Sequence, residues 1–114
     1  GKRHIFNFGH SFGHCYEMID GLPHGIAVAK GICTAADLSL KFGYIKTETN
    51  QQIKEIIRNA GFNTEYKLDE RHFEILKKDK KKDGESIDFV FLNEIGFPII
   101  ANTPIIDIIE ALRH

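Results

Sequence analysis

Histidine is concentrated at one end of this sequence: four of its six histidines fall within the first 24 of 114 residues. Three of them, His10, His14 and His24, have the spacing of a metal site. In the run Asn7-Phe8-Gly9-His10-Ser11-Phe12-Gly13-His14-Cys15-Tyr16-Glu17 two imidazoles stand four residues apart. On a helix that spacing puts both on one face, one turn above the other. Asp20-Gly21-Leu22-Pro23 is a turn signal that folds the chain, and His24 with it, back toward that face. Two imidazoles from one helix and a third from the next element suit Zn²⁺ or a similar borderline ion. A bare H-x-x-x-H pair is equally compatible with ordinary helix-surface or buried histidines. Glu17, three residues beyond His14, is placed to orient an imidazole or to lie on the helix surface.

Helices must position these groups. The first is expected to open near Asn7 or Ser11 and run to about Asp20, with Gly21 as its stop. His24 to Phe42 is rich in Ala, Ile, Val and Leu on most sides and reads as a central buried helix ended by Gly43. Gly25 and Gly31 inside it imply a second backbone packed closely there. A third helix starts at a cap on Thr49 or Thr47, carries the stripe Ile53, Ile56, Ile57 and Ala60, and stops at Gly61. Asp69 is expected to cap a fourth helix to about Lys78, with Phe73 and Leu76 facing inward. Thr103-Pro104 reads as a cap and first helical position for a last helix marked by Ile105, Ile108, Ile109 and Leu112. Between the last two helices the period changes. Residues 87–92 are β-branched and aromatic, 93–96 turn, and 97–101 extend again, which predicts a short hairpin with Pro98 on an edge. The fold class is mainly α, with one short β-hairpin.

Composition narrows the functional classes. A chain of this length makes one domain with a modest core. Hydrophobic residues make up 42% and charged residues 27%, a globular balance. The net charge of −1 argues against a nucleic-acid binder, and no apolar run approaches a membrane span. Cys15 and Cys33 lack C-x-x-C spacing and fit buried thiols in a reducing cytoplasm. No G-x-G-x-x-G follows a predicted strand, so no cofactor-binding residues are assigned to this chain. The sequence opens on Gly1 without an initiator Met and reaches its densest motif within ten residues, which predicts a piece of a larger protein.

Asn7 to His14, with Arg3 upstream and His24-Gly25 downstream, resembles the signature of the 3-dehydroquinate synthase family, approximately L-N-x-G-H-T-x-G-H-x-x-E followed by H-G-E-A-V-A-x-G. Further matches follow in one register: Ala27-Val28-Ala29, Gly31, Asp79-Lys80-Lys81 before Gly84, the strand 87–92 and Ile95-Gly96. Phe6 replaces the usual Leu and Ser11 the usual Thr. Ile26 stands where the family usually has Glu. The resemblance is to the C-terminal helical domain, residues 1–114 here, while the N-terminal NAD-binding domain is absent from this chain.

This resemblance implies a cytoplasmic lyase of the shikimate pathway of aromatic amino-acid biosynthesis. It would convert the seven-carbon sugar-acid phosphate DAHP to 3-dehydroquinate and phosphate. Tightly bound NAD and Zn²⁺ (or Co²⁺) would be its cofactors. His10 and His24 would be metal ligands, the third being a Glu outside this chain. His14 would be catalytic and substrate-binding, as would Arg3 and Asn7, and Lys80 or Lys81 would meet the substrate phosphate. The lysines at 77, 78, 80, 81 and 82 otherwise read as a solvated face. A homodimer is implied for the intact enzyme, and the isolated chain is expected to be inactive. Two other enzyme readings stand beside this one: another sugar-phosphate cyclase and a metal-dependent polyol dehydrogenase domain. A non-catalytic metal-binding interaction fragment is the alternative from a different class.

Overall fold

The first two helices form a hairpin whose turn is set by Gly21, at φ +66°, a conformation that costs glycine little. In the computed structural model, which describes residues 10–79, 86–94 and 98–113, α1 spans His10–Asp20 and α2 spans His24–Lys41. The Gly21 N–H closes the last turn of α1 on the Glu17 carbonyl at 3.1 Å. The close backbone approach lies at Gly13, where an added Cβ would sit 3.4 Å from the Ala27 carbonyl oxygen and 3.5 Å from Val28 Cα. At Gly25, where the sequence suggested such an approach, nothing lies within 4 Å of an added Cβ.

α2 is the central helix. Ala27, Ala29, Gly31, Cys33, Thr34, Ala35, Ala36, Leu38 and Ser39 are all buried along it. Small residues let its neighbours come close, and its few hydroxyls are spoken for. Thr34 Oγ1 donates to the Lys30 carbonyl at 2.8 Å, so the Tyr16 hydroxyl donates to Thr34 Oγ1, also at 2.8 Å. Ser39 Oγ donates to the Ala35 carbonyl and accepts the Leu92 N–H at 3.1 Å, which ties the hairpin to α2. Both cysteines are buried, as expected, and neither is in a disulfide.

α3 (Thr47–Asn59) begins two residues earlier than Thr49, and neither threonine caps it. Lys46 takes the cap position, and Glu94 from the hairpin turn accepts both the Lys46 N–H and the Thr49 hydroxyl. A carboxylate there complements the positive end of the helix. The apolar stripe does not enter the core: Ile56 is 68% exposed, and Asn50 is the buried residue of this helix. What holds α3 is polar. Asp37 of α2 accepts from Asn50 Nδ2 at 2.8 Å, from Lys54 at 2.9 Å and from the Tyr66 hydroxyl.

α4 (Glu70–Asp79) is capped as the sequence implied. Asp69 Oδ1 accepts the Arg71 N–H at 2.9 Å, and His72 at the third helical position accepts the Asp69 N–H on Nδ1 at 3.0 Å. This is a capping box in which an imidazole replaces the usual Glu or Gln. Nδ1 also lies 3.2 Å from Asp69 Oδ1, and Nε2 lies 3.1 Å from Asp20 Oδ2 at the end of α1, so the ring bridges the two aspartates. His72 is 2% exposed, its carbonyl accepts from Cys15 Sγ at 3.6 Å, and its ring lies 5.7 Å from that of Tyr16. The hydrogen bond from Arg71 holds the Asp69 carboxyl well below the usual carboxylate range.

β1 (Ser86–Leu92) and β2 (Pro98–Pro104) pair antiparallel from Ser86↔Pro104 to Leu92↔Pro98, a longer ribbon than the sequence suggested. Thr103 therefore belongs to the strand. Its hydroxyl donates to the Ala101 carbonyl at 3.0 Å instead of capping α5 (Ile105–Arg113), and Pro104 closes the ladder just before that helix. Phe89 and Phe91 drop from β1 onto the core, where Phe12, Tyr16, Leu38, Phe73, Leu76, Ile108 and Ile109 join them. Burial of one such side chain contributes about 1.5–3 kcal/mol. Arg113 bridges α5 to α4 through Glu70 at 2.8 Å and covers the Phe73 ring at 5.4 Å.

Two stability predictions follow from these contacts. His72→Ala leaves a buried N–H and a cavity, so it should cost about 2–4 kcal/mol, seen as a melting temperature roughly 10–25 °C lower. His72→Gln, the ordinary capping-box partner, should recover part of that. An unchanged melting temperature in the alanine variant would refute the tie between α1 and α4.

Burial pushes the Tyr16 and Tyr66 phenols far up, and the bond to Asp37 adds to the effect at Tyr66. Their contribution is present below about pH 10, where unfolded tyrosine still holds its proton, and is lost as the pH rises beyond it. Urea unfolding should show stability falling above that pH by up to about 1.4 kcal/mol per pH unit for each phenol. Tyr16→Phe should flatten the slope; parallel curves would contradict the assignment.

Candidate functional site

The site is built on the α1–α2 hairpin. Positions 10 and 14 both lie in α1, four apart, so their backbone positions share a helix face. His14 is half-buried, while the His10 side chain lies outside the described part. His24 opens α2 directly after Pro23, whose extended backbone, φ −56° and ψ 150°, directs the chain into the helix. The close contact of Gly13 with Ala27 and Val28 packs the first half of α1 against the beginning of α2.

That contact produces the defining geometry of the site. His24 Nδ1 lies 3.0 Å from Glu17 Oε1. The His24 side chain is 70% exposed and that of Glu17 is 35% exposed. An ion pair this open to water contributes little to stability. Its consequence is directional: a carboxylate on Nδ1 leaves Nε2 as the nitrogen facing outward. The sequence placed Glu17 near an imidazole without settling which one, and the tertiary structure pairs it with His24. Ile26, beside it on α2, is 38% exposed.

A metal ion needs more donors than this part supplies. Among the described residues no group of three His, Cys, Asp or Glu side chains could hold one. The donor chemistry still fits: an exposed imidazole with its second nitrogen hydrogen-bonded to a carboxylate has the form of a metal-ligating histidine. Arg3, Asn7, Lys80 and Lys81, the expected anion- and substrate-binding residues, lie outside the described residues. Lys77 is exposed and pairs with Glu74 at 3.4 Å, as a solvated lysine would.

Two features had no strong signal in the sequence. A cavity of about 250 Å³ is lined by Asp37, Leu38, Leu40, Lys41, Tyr66, Ala111 and Leu112, away from the three histidines in sequence. The buried His72 with its two aspartates is the second. The sequence marked Asp69 as a cap and gave no sign of the part His72 plays in it. Among the described residues, no helix is long and apolar enough to cross a membrane.

Comparison with known proteins bears on both fold and lineage. The chain aligns over 99% of its length with 3-dehydroquinate synthase of Dehalococcoides mccartyi at 35% identity, and it spans 34% of that protein. It therefore corresponds to about a third of the curated relative's length. Two crystal structures of 2-deoxy-scyllo-inosose synthase share the fold. One matches with a TM-score of 0.74 at 21% identity, over 96% of this chain and 31% of that one. The other, complexed with carbaglucose-6-phosphate, NAD⁺ and Co²⁺, matches with a TM-score of 0.75 at 20% identity, over 98% of this chain and 34% of that one. The model of the 3-dehydroquinate synthase C-terminal family matches residues 1–82, and together with the full-length alignment this establishes that the chain belongs to that family.

Proposed function

We propose that this chain is the metal- and substrate-binding part of a 3-dehydroquinate synthase, which converts DAHP to 3-dehydroquinate and phosphate in the shikimate pathway. The observation that carries the reading is the α1–α2 hairpin, which joins an H-x-x-x-H helix to a third histidine already oriented by a carboxylate. The family membership and the related cyclase complexed with NAD⁺ and Co²⁺ support it.

In this reading His10 and His24 hold Zn²⁺ or Co²⁺ with a third ligand from outside the chain. The bound ion supplies Lewis acidity to adjacent substrate hydroxyls. His14, one turn from His10, exchanges a proton with the substrate. Arg3 and Asn7 fix the substrate's carboxylate and hydroxyls through charge-assisted and neutral hydrogen bonds. Lys80 or Lys81 neutralises the phosphate, while Lys77 stays in solvent. The nicotinamide cofactor is held by a domain outside this chain. The whole enzyme is a homodimer in the cytoplasm, a location in keeping with two buried free thiols.

Variants of a full-length enzyme containing this segment test the assignment. His10→Ala and His24→Ala should each lose the metal, as read by metal analysis of the purified proteins. His14→Ala should keep the metal and lose turnover of DAHP by about a hundredfold or more. A His14 variant lacking metal would invert the roles. Turnover of glucose 6-phosphate in place of DAHP would move the reading to another sugar-phosphate cyclase.

The 114-residue chain by itself should show no turnover and only weak metal retention, because an incomplete site lacks both ligands and preorganisation. Turnover by the purified chain alone would overturn the division of labour.

A further inference from the structure

Glu17 and His24 are seven residues apart, on different helices, and meet across the turn at 3.0 Å. Both are substantially exposed, so the pair adds little to folding. It nevertheless has a definite chemical effect on the imidazole. An ionised carboxylate only accepts hydrogen bonds, so the nitrogen facing it must carry the proton. Here that nitrogen is Nδ1, and the lone pair is left on Nε2. A free imidazole in water distributes its proton over both nitrogens and turns about its side-chain bonds. Glu17 favours one tautomer and one ring orientation over the others.

The contact does not depend on a mobile loop. Glu17 lies within the last turn of α1, the Gly21 N–H closes that turn on the Glu17 carbonyl, and Gly13 holds α1 against α2. The carboxylate is therefore delivered by packed backbone, as a positioning group must be.

We propose that Glu17 is a positioning residue, which fixes His24 in the Nδ1–H tautomer and points Nε2 at a divalent cation. This rests on the reading of His24 as a metal ligand. Glu17 touches neither substrate nor metal in this role and acts through the imidazole alone. Partners of this kind raise ligand basicity and orient the ring, and their loss typically weakens metal affinity about 10–100-fold.

The test uses the ¹⁵N-labelled 114-residue chain and Co²⁺. Long-range ¹H–¹⁵N spectra of the histidine rings at mildly alkaline pH report the tautomer, and a Co²⁺ titration read on the His24 resonances reports affinity. The unmodified chain should show the Nδ1–H form at His24. Glu17→Ala should shift His24 toward the Nε2–H form and raise the Co²⁺ Kd about tenfold or more, with the backbone resonances of α1 and α2 otherwise in place. Glu17→Gln keeps an acceptor and loses the charge, so it should retain the tautomer and fall between the two in affinity. An Nε2–H tautomer in the unmodified chain, or equal tautomer and Kd in Glu17→Ala, would overturn the positioning role while leaving His24 a ligand. Retention of the metal by His24→Ala in the full-length enzyme containing this segment would overturn the metal reading as well.

Discussion

The separation between α1 and α2 is the constraint on which the rest depends. At Gly13 a single added carbon would already touch the Ala27 carbonyl at 3.4 Å. An approach this close suits a residue that presents no side chain, and the backbone it meets on α2 is that of Ala27 and Val28. The same approach puts Phe12, Cys15 and Tyr16 into the core and leaves the opposite end of the hairpin to bring Glu17 against His24. Packing and site geometry are thus one arrangement. A larger residue at position 13 would push α1 outward and lengthen the Glu17–His24 hydrogen bond without touching either residue.

The other elements are fastened to this hairpin through polar knots as much as through apolar contacts. His72 links α4 to the end of α1, Ser39 receives the Leu92 N–H from the ribbon, and Asp37 gathers Asn50, Lys54 and Tyr66. Each buried hydroxyl or ring nitrogen in these knots has a partner, which matters because an unsatisfied one costs about as much as several good contacts contribute. The apolar cluster of Phe12, Phe89 and Phe91, with ring centroids 5.5 Å and 5.0 Å apart in successive pairs, then fills the space that the knots define.

α3 shows why the polar knots are needed. Its isoleucine stripe is strongly amphipathic, yet Ile56 remains 68% exposed. The helix is held from its polar side, by Asn50 and Lys54 on Asp37 and by Glu94 at its first turn. In this helix the apolar stripe is not the side that enters the core.

Much of the architecture was legible in the amino-acid order because it is governed by local chemistry. Helix ends at Gly21, Gly43 and Gly61 follow from positive φ, the cap at Asp69 from its side-chain oxygen, and the ribbon from β-branched and aromatic alternation. The H-x-x-x-H run and the turn before His24 were legible for the same reason. What only the tertiary structure decided depends on groups far apart in sequence. Thr47 and Thr49 looked like caps, but Lys46 holds the cap position and Glu94, from the hairpin turn, accepts its N–H. Thr103 looked like another, but strand pairing with Ile87 claims it. Gly25 seemed to mark a close approach that belongs to Gly13, since only the packed hairpin determines which glycine faces a backbone. Glu17 stood three residues from His14 in the sequence, and the packed α1–α2 hairpin puts it against His24. Local propensity sets where elements start and stop; which side chains meet across them is fixed by the distances between packed backbones.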